Sequence, residues 1–235
     1  METRSLEGKV VLVTGSTRGI GKAIADAYER EGAIVVRNGR GGMICFPEKQ
    51  PVAYFDVRDR KAVRQKLSDV FGQHMHLDIL VNNAGINGDS KVGRMTDEQW
   101  DEVIATNLTG AFNCTRAALP YLRQSNGQLV YVSSIMANDP RAGVANYSAS
   151  KAGLEAFARA VSLEEAGNGI SVLVIAPGFA QTDMIARLSA EVRQRIISQI
   201  PNGQLTQPER IADEVVQFSK VRANLHPYVR KDLPY

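Results

Sequence analysis

Short apolar runs alternate with longer amphipathic stretches along most of this chain. The runs are Val10–Thr14, Ile34–Val36, Val52–Phe55, Ile79–Asn82, Leu129–Val132 and Ser171–Ile175. Uninterrupted runs of this kind, several of them rich in β-branched residues, suit strands covered on both faces. Between them, Thr96–Asn107, Ala111–Gln124 and Ala149–Ala166 carry apolar residues at the spacing of an amphipathic helix. The alternation predicts an α/β fold, a doubly wound parallel sheet with helices on both faces and ligands at the carboxyl ends of the strands. No internal repeat, low-complexity tract or linker divides residues 1–235, so one domain is expected.

Two stretches break the pattern. Arg40-Gly-Gly-Met-Ile-Cys-Phe-Pro-Glu-Lys-Gln-Pro51 holds two glycines and two prolines, which argues against a full crossover helix there and for a loop. The tail, Asn224-Leu-His-Pro-Tyr-Val-Arg-Lys-Asp-Leu-Pro-Tyr235, contains Pro227 and Pro234. Proline lacks the ladder donor, so the expectation is an irregular tail with at most a very short strand.

Composition narrows the class. A chain of 235 residues, 44% hydrophobic, is long enough for one well-buried domain. The net charge is 28 − 25 = +3 with no basic run, which speaks against nucleic acid or a membrane surface as partner. No apolar run approaches the roughly 20 residues of a membrane span. Met1-Glu-Thr-Arg-Ser-Leu-Glu-Gly8 carries acids and no apolar core, unlike a signal peptide. Cys45 and Cys114 have no metal-like spacing and fit a reducing compartment. The composition is that of a soluble, cytoplasmic protein without a metal site.

The candidate chemistry centres on Tyr147 and Lys151, four residues apart in Asn-Tyr-Ser-Ala-Ser-Lys and downstream of Ser134 in a Val-Ser-Ser turn. On a helix that spacing puts both side chains on one face. An ammonium beside a phenol favours the phenolate and is expected to draw the tyrosine pKa down. A phenol exchanging a proton near neutrality is what carbonyl reduction needs, because the new alcohol oxygen must be protonated. Near the N-terminus the run Lys9–Thr14 leads into Gly15-Ser-Thr-Arg-Gly19-Ile-Gly21 and a helical stretch. Glycines there turn tightly and let backbone approach a pyrophosphate, while the helix N-terminus offers free N–H groups.

With these residues in view, the chain resembles the classical short-chain dehydrogenase/reductase family. The resemblance rests on Thr14-Gly-Ser-Thr-Arg-Gly-Ile-Gly21, Asn82-Asn-Ala-Gly85, Asn107, Ser134, Tyr147, Lys151 and Pro177-Gly-Phe-Ala-Gln-Thr-Asp-Met184. Within the family it is most similar to the 3-oxoacyl-(acyl carrier protein) reductases, through Arg94–Gly110 and Ile200–Glu209. The resemblance implies a Rossmann-like fold, here with a shortened second crossover and an atypical C-terminal strand.

It also implies roles. Asn107, Ser134, Tyr147 and Lys151 become the catalytic group. Ser134, at thirteen residues from the tyrosine, is selected over Ser133 to bond the substrate carbonyl oxygen. Asn107 would bend its helix and hold a water near Lys151. Gly15, Thr17, Arg18, Gly19, Ile20 and Gly21 would cradle the cofactor phosphates. Asp56 and Val57 would face adenine, and Asn83, Ala84 and Gly85 the ribose. Tyr147 and Lys151 would also hold the cofactor, and Pro177, Gly178, Ala180 and Thr182 its nicotinamide side. The position where NAD-preferring members carry an acid falls on Gly39, followed by Arg40, and Arg18 adds a second cation. A guanidinium fork suits a 2′-phosphate, so the cofactor expected is NADP(H).

The leading expectation is reduction of a 3-oxoacyl thioester, of acyl carrier protein or coenzyme A, as in fatty acid biosynthesis. The turns Ser125–Gln128 and Gly167–Gly169 lack the basic residues of carrier-dependent members, leaving Arg123 as the nearest cation. Another ketone or secondary alcohol, or an idle NADP-binding subunit, therefore stays open. The resemblance further implies a homodimer or homotetramer built on the long helices, weakened where the tail departs from the family.

Overall fold

The computed structural model describes residues 6–41, 51–186, 189–200, 202–221 and 228–233. The strands are β1 (Val10–Val13), β2 (Ile34–Gly39), β3 (Val52–Tyr54), β4 (Ile79–Asn82), β5 (Gln128–Val132), β6 (Ser171–Pro177) and β7 (Tyr228–Leu233). They form one sheet in the order β3-β2-β1-β4-β5-β6-β7, and every pairing in it is parallel. The chain winds outward from β1 one way and from β4 the other, so the crevice between their carboxyl ends is the topological switch point.

The uniform apolar runs reflect burial on both faces. Successive side chains along a strand point to opposite sides. Val10 and Leu12 accordingly join one core with Leu80, Leu129, Tyr131 and Val172, while Val11 and Val13 join the other with Ile79, Val81, Leu173 and Ile175. The first core is roofed by α2 (Arg60–His74), α4 (Gly110–Ser125) and α5 (Ala145–Glu165), the second by α1 (Gly19–Arg30) and α8 (Pro208–Lys220). Shorter helices α3 (Asp97–Ile104), α6 (Asp183–Ala186) and α7 (Ala190–Ser198) complete the set.

Local signals place the helix ends. Asp59 caps α2 by accepting from the N–H groups of Lys61 and Ala62. Thr96 and Gln99 form a reciprocal capping box on α3. The stretch read as one helix from Thr96 to Asn107 breaks after Ile104 into a wide π-turn over Ala105–Thr109. Helix α5 starts four residues before the expected Ala149, which brings Tyr147 onto it.

The tail corrects the sequence reading. Instead of being irregular, Tyr228–Leu233 pairs with β6 over its whole length, from Val172↔Tyr228 to Pro177↔Leu233. The six residues of the strand lie between Pro227 and Pro234 in the sequence and include no proline, so every ladder position keeps its donor. Leu233 is buried in the second core, and the Lys231 ammonium reaches Glu214 of α8 at 2.6 Å. The shortened second crossover, residues 42–50, falls outside the described residues. Among the described residues no helix is long and apolar enough to cross a membrane.

Candidate active site

The switch-point crevice begins at the turn between β1 and α1. Gly15 and Gly19 hold positive φ of 63° and 54°. A side chain on Gly21 would put its Cβ 2.3 Å from Asn83 Nδ2 and 2.5 Å from the Gly15 carbonyl oxygen. The Thr14 hydroxyl donates to the Val81 carbonyl at 3.1 Å and accepts from the N–H groups of Asn83 and Ala84 at 2.9 and 3.0 Å. Asn83 returns its amide to the carbonyls of Thr14 and Gly15 at 2.9 and 3.1 Å. Turn and β4 end are thereby one unit. Arg18 stands at the N-cap of α1 in extended geometry and makes no side-chain cap, leaving the first turn of a 12-residue helix to face the crevice.

Sequence reasoning missed two residues beneath this turn. Asn38 of β2 is buried, accepts the Gly15 N–H at 3.1 Å and donates to the carbonyls of Ala53 and Phe55 at 2.9 and 3.2 Å. Arg37 is buried too, its guanidinium paired with Asp26 at 2.5 Å and Glu29 at 2.9 Å. A charged and an amide residue inside an apolar strand were the available signal, because such groups stay buried only when paired. Arg40 lies exposed at the end of β2. Asp56 is engaged by Arg58, whose Nη2 approaches at 2.7 Å, and that guanidinium holds the carboxyl below its ordinary pKa. Val57 packs against Gly110, where a Cβ would come within 2.6 Å of its Cγ2.

The four residues read as catalytic come together from three elements. Ser134 follows β5 and its Oγ accepts the Met136 N–H at 3.2 Å, while the Tyr147 hydroxyl is hydrogen-bonded to Ser134. Lys151 Nζ lies 5.7 Å from the centre of the Tyr147 ring and donates to the Val132 carbonyl at 2.7 Å. Asn107, in the π-turn, accepts the Ile86 N–H at 2.8 Å and donates to the Ile86 carbonyl at 2.9 Å and Ser150 Oγ at 3.0 Å. The wide turn aims this side chain across the crevice, which a regular α-turn would not. Gly85 completes the meeting: its Cβ would lie 3.3 Å from Asn107 Oδ1 and 3.6 Å from Lys151 Nζ. Ser133, the competitor, instead donates to Glu155 at 2.7 Å.

Electrostatics differ from the simple pair picture. Burial lowers the Lys151 pKa to about 8, and the Glu155 carboxylate opposes that shift. The Tyr147 pKa moves up rather than down, because burial penalises the phenolate, with the Ser134 bond pulling the other way and Asp89 adding to the rise. Desolvation outweighs the Ser134 bond, so Tyr147 holds its proton at neutral pH.

On the far wall, Pro177 ends β6 and the Gly178 N–H donates to the Leu233 carbonyl at 2.7 Å. Ala180 is buried and bridges to Thr206. Thr182 leans over the glycine turn, its Cγ2 3.4 Å from where a Gly19 Cβ would stand. Thr17 and Ile20 line the same turn. His76 meets Asp78 at 3.4 Å, remote from this crevice, and no cluster of three metal-ligating side chains occurs among the described residues.

Residues 9–193 match the family model for short chain dehydrogenase. The chain belongs to that family. It is 37% identical to the 3-oxoacyl-[acyl-carrier-protein] reductase FabG of Thermotoga maritima over 90% of each chain. The FabG of Vibrio cholerae is 37% identical over 93% of each, and that of Escherichia coli K12 is 35% identical over 90% of this chain and 89% of its own. The protein is thus an oxidoreductase similar to 3-oxoacyl-[acyl-carrier-protein] reductases, and membership implies a nicotinamide cofactor. The residues fit such a group. Positive-φ glycines, an uncapped helix N-terminus and a Gly21 position too tight for any side chain make a backbone cradle suited to a pyrophosphate.

Proposed function

We propose that this chain reduces a 3-oxoacyl thioester to the 3-hydroxyacyl thioester with NADPH, and that Ser134, Tyr147, Lys151 and Asn107 carry the reaction. The observation that supports it most is the joined set at the crevice: a protonated phenol bonded to Ser134 beside a buried ammonium. Bound at the glycine turn, the cofactor supplies a hydride for the carbonyl carbon. Ser134 Oγ and the Tyr147 hydroxyl bind the carbonyl oxygen, and Tyr147 gives it the proton that completes the alcohol. Lys151 stabilises the phenolate left behind, and its lowered pKa lets it pass a proton on near neutral pH. Thr17, Arg18, Gly19, Ile20 and Gly21 would hold the phosphates, Asp56 and Val57 would border adenine, Asn83, Ala84 and Gly85 would border ribose, and Pro177, Gly178, Ala180 and Thr182 would close on the nicotinamide. Arg40, exposed at the end of β2, selects the 2′-phosphate of NADP(H).

The carrier of the acyl group is weighed by Arg123. Its guanidinium is clasped by Glu165, at 2.9 Å through Nε and 2.5 Å through Nη2, so it offers little free charge to an acidic carrier protein. That pairing weakens the case for an acidic carrier at this spot and leaves acyl carrier protein and coenzyme A thioesters both as substrates to test. A cytoplasmic homo-oligomer belongs to the same reading, supported by Leu163, 76% exposed on α5 where a second copy would cover it. The test is turnover of acetoacetyl-coenzyme A by purified protein with NADPH and with NADH. Brisk oxidation of NADPH is expected. Turnover of simple ketones but no thioester would move the assignment to another substrate, and NADPH binding with no turnover of either would leave an idle subunit.

A further inference from the structure

Behind the catalytic pair lies a second set of buried charged groups. Glu155 follows Lys151 by one turn of α5, a spacing that sets the two side chains about 5–6 Å apart at Cβ. It is buried, 7% exposed. Ser133 at the end of β5 donates to its Oε1 at 2.7 Å, and Arg230 of β7 donates to its Oε2 at 2.9 Å through Nε. Arg230 is in turn paired with Asp232 on the same strand. Three segments far apart in sequence meet here, two of them each spending a polar group on the carboxylate of the third. A buried carboxylate without such partners would be strongly disfavoured.

Ser133 is the residue next to Ser134, and the carbonyl between β5 and that serine pair, Val132 O, is the one that Lys151 grips at 2.7 Å. The carboxylate therefore ties together the backbone that presents Ser134 and the helix that presents Tyr147 and Lys151. We propose that Glu155 is a positioning residue: its carboxylate, clamped by Ser133 and by Arg230 of the terminal strand, is the counter-charge that holds the Lys151 ammonium at the crevice. Its charge opposes that ammonium's loss of a proton, in the direction the site needs. The groups facing this cluster are few. From α5 they are Lys151 and, one turn beyond Glu155, Arg159, whose guanidinium lies over the Tyr228 ring at 5.8 Å. From β7 they are Arg230 and Asp232, from the β5 end Ser133, and β6 presents only uncharged residues. Asp89 acts on Tyr147 from the opposite wall.

This inference rests on the role given to Lys151 under Proposed function, yet its test needs no turnover. The Lys151 side chain is followed by NMR in cofactor-free protein labelled at lysine, with the signal assigned by Lys151→Arg, across a pH titration. Glu155→Gln keeps the shape and removes the charge, so the Lys151 midpoint should fall by roughly one pH unit, the effect of a unit charge a helical turn away, partly offset by Arg230. Arg230→Gln removes the offsetting cation and should move the midpoint up. Arg230→Lys should restore it. The alkaline limb of the rate profile should follow in each variant. Opposite movements of the first two variants support the proposal; a midpoint unmoved in Glu155→Gln, or moved the same way in both, overturns it. Should Glu155→Gln not fold, the Arg230 pair decides alone: no rise in Arg230→Gln, or no return with lysine, refutes it. Failure of thioester reduction with these shifts present would count against the substrate and leave the Glu155 role standing.

Discussion

Gly21→Ala asks whether the cradle is as tight as its geometry. The added methyl would sit 2.3 Å from Asn83 Nδ2 and 2.5 Å from the Gly15 carbonyl oxygen. Asn83 cannot simply swing aside, since its amide holds the carbonyls of Thr14 and Gly15 at 2.9 and 3.1 Å. Overpacking costs about 1–3 kcal/mol, and losing both hydrogen bonds adds about 2 kcal/mol at roughly 1 kcal/mol each. Alanine returns up to about 1 kcal/mol of helix propensity. The net loss is about 2–4 kcal/mol, a Tm lower by roughly 4–16 °C for a chain of this size. Gly72→Ala on α2 is the control, because nothing lies within 4 Å of its Cβ position. That variant should hold or gain stability. The assay is thermal unfolding of both variants, each with and without NADPH. Gly21→Ala should also weaken NADPH at least tenfold, about 1.4 kcal/mol, since spreading the turn moves its N–H groups. A variant with unchanged Tm and unchanged NADPH affinity would refute the reasoning.

Tyr147→Phe should lower kcat by about 10²–10⁴-fold, the usual contribution of a general acid, with a far smaller effect on NADPH binding by fluorescence; near-normal turnover would sink the mechanism. Arg40→Ala should cost NADPH about 1.5–3 kcal/mol, a charged hydrogen bond, and spare NADH; equal losses in the two dissociation constants would show that Arg40 does not read the 2′-phosphate. Thioester reduction should fall as pH rises through about 8, where Lys151 loses its proton, because the folded-state pKa is depressed and the ammonium is present only below it. A rate profile flat from neutral pH through that value would remove Lys151 charge from the mechanism.

Much of the site was legible because its chemistry needs particular atoms at particular spacings. Tyr147 and Lys151 share a helix face through their spacing alone, and α5 extends back to Ala145 to carry both. The glycine turn was legible for a similar reason, since glycine takes the positive φ of Gly15 and Gly19 most readily. Long-range partners were not legible. Asn38 and Arg37 are positioned by groups at separations that no local pattern encodes, such as the 23 residues between Asn38 and Gly15. The direction of the Tyr147 shift also escaped, because a spacing reveals a neighbouring charge but not the burial that raises the phenol's pKa.

The terminal strand shows where a sound local rule was applied to the wrong residues. Proline forbids a ladder donor only at its own position. Between Pro227 and Pro234 stand Tyr-Val-Arg-Lys-Asp-Leu, and all six pair with β6. As an edge strand this segment carries Arg230, Lys231 and Asp232, charges of the kind that blunt an exposed edge against further pairing. Here two of them do more, since Arg230 reaches Glu155 and Lys231 reaches Glu214. The expectation of a weakened tetramer rested on an irregular tail and loses its basis with the strand in place. What distinguishes this tail is its inward side: Leu233 enters the core and receives the Gly178 N–H, next to the segment that closes on the crevice. The terminal strand is therefore joined to the walls of the crevice through both Arg230, which reaches Glu155, and Leu233, which accepts the Gly178 N–H.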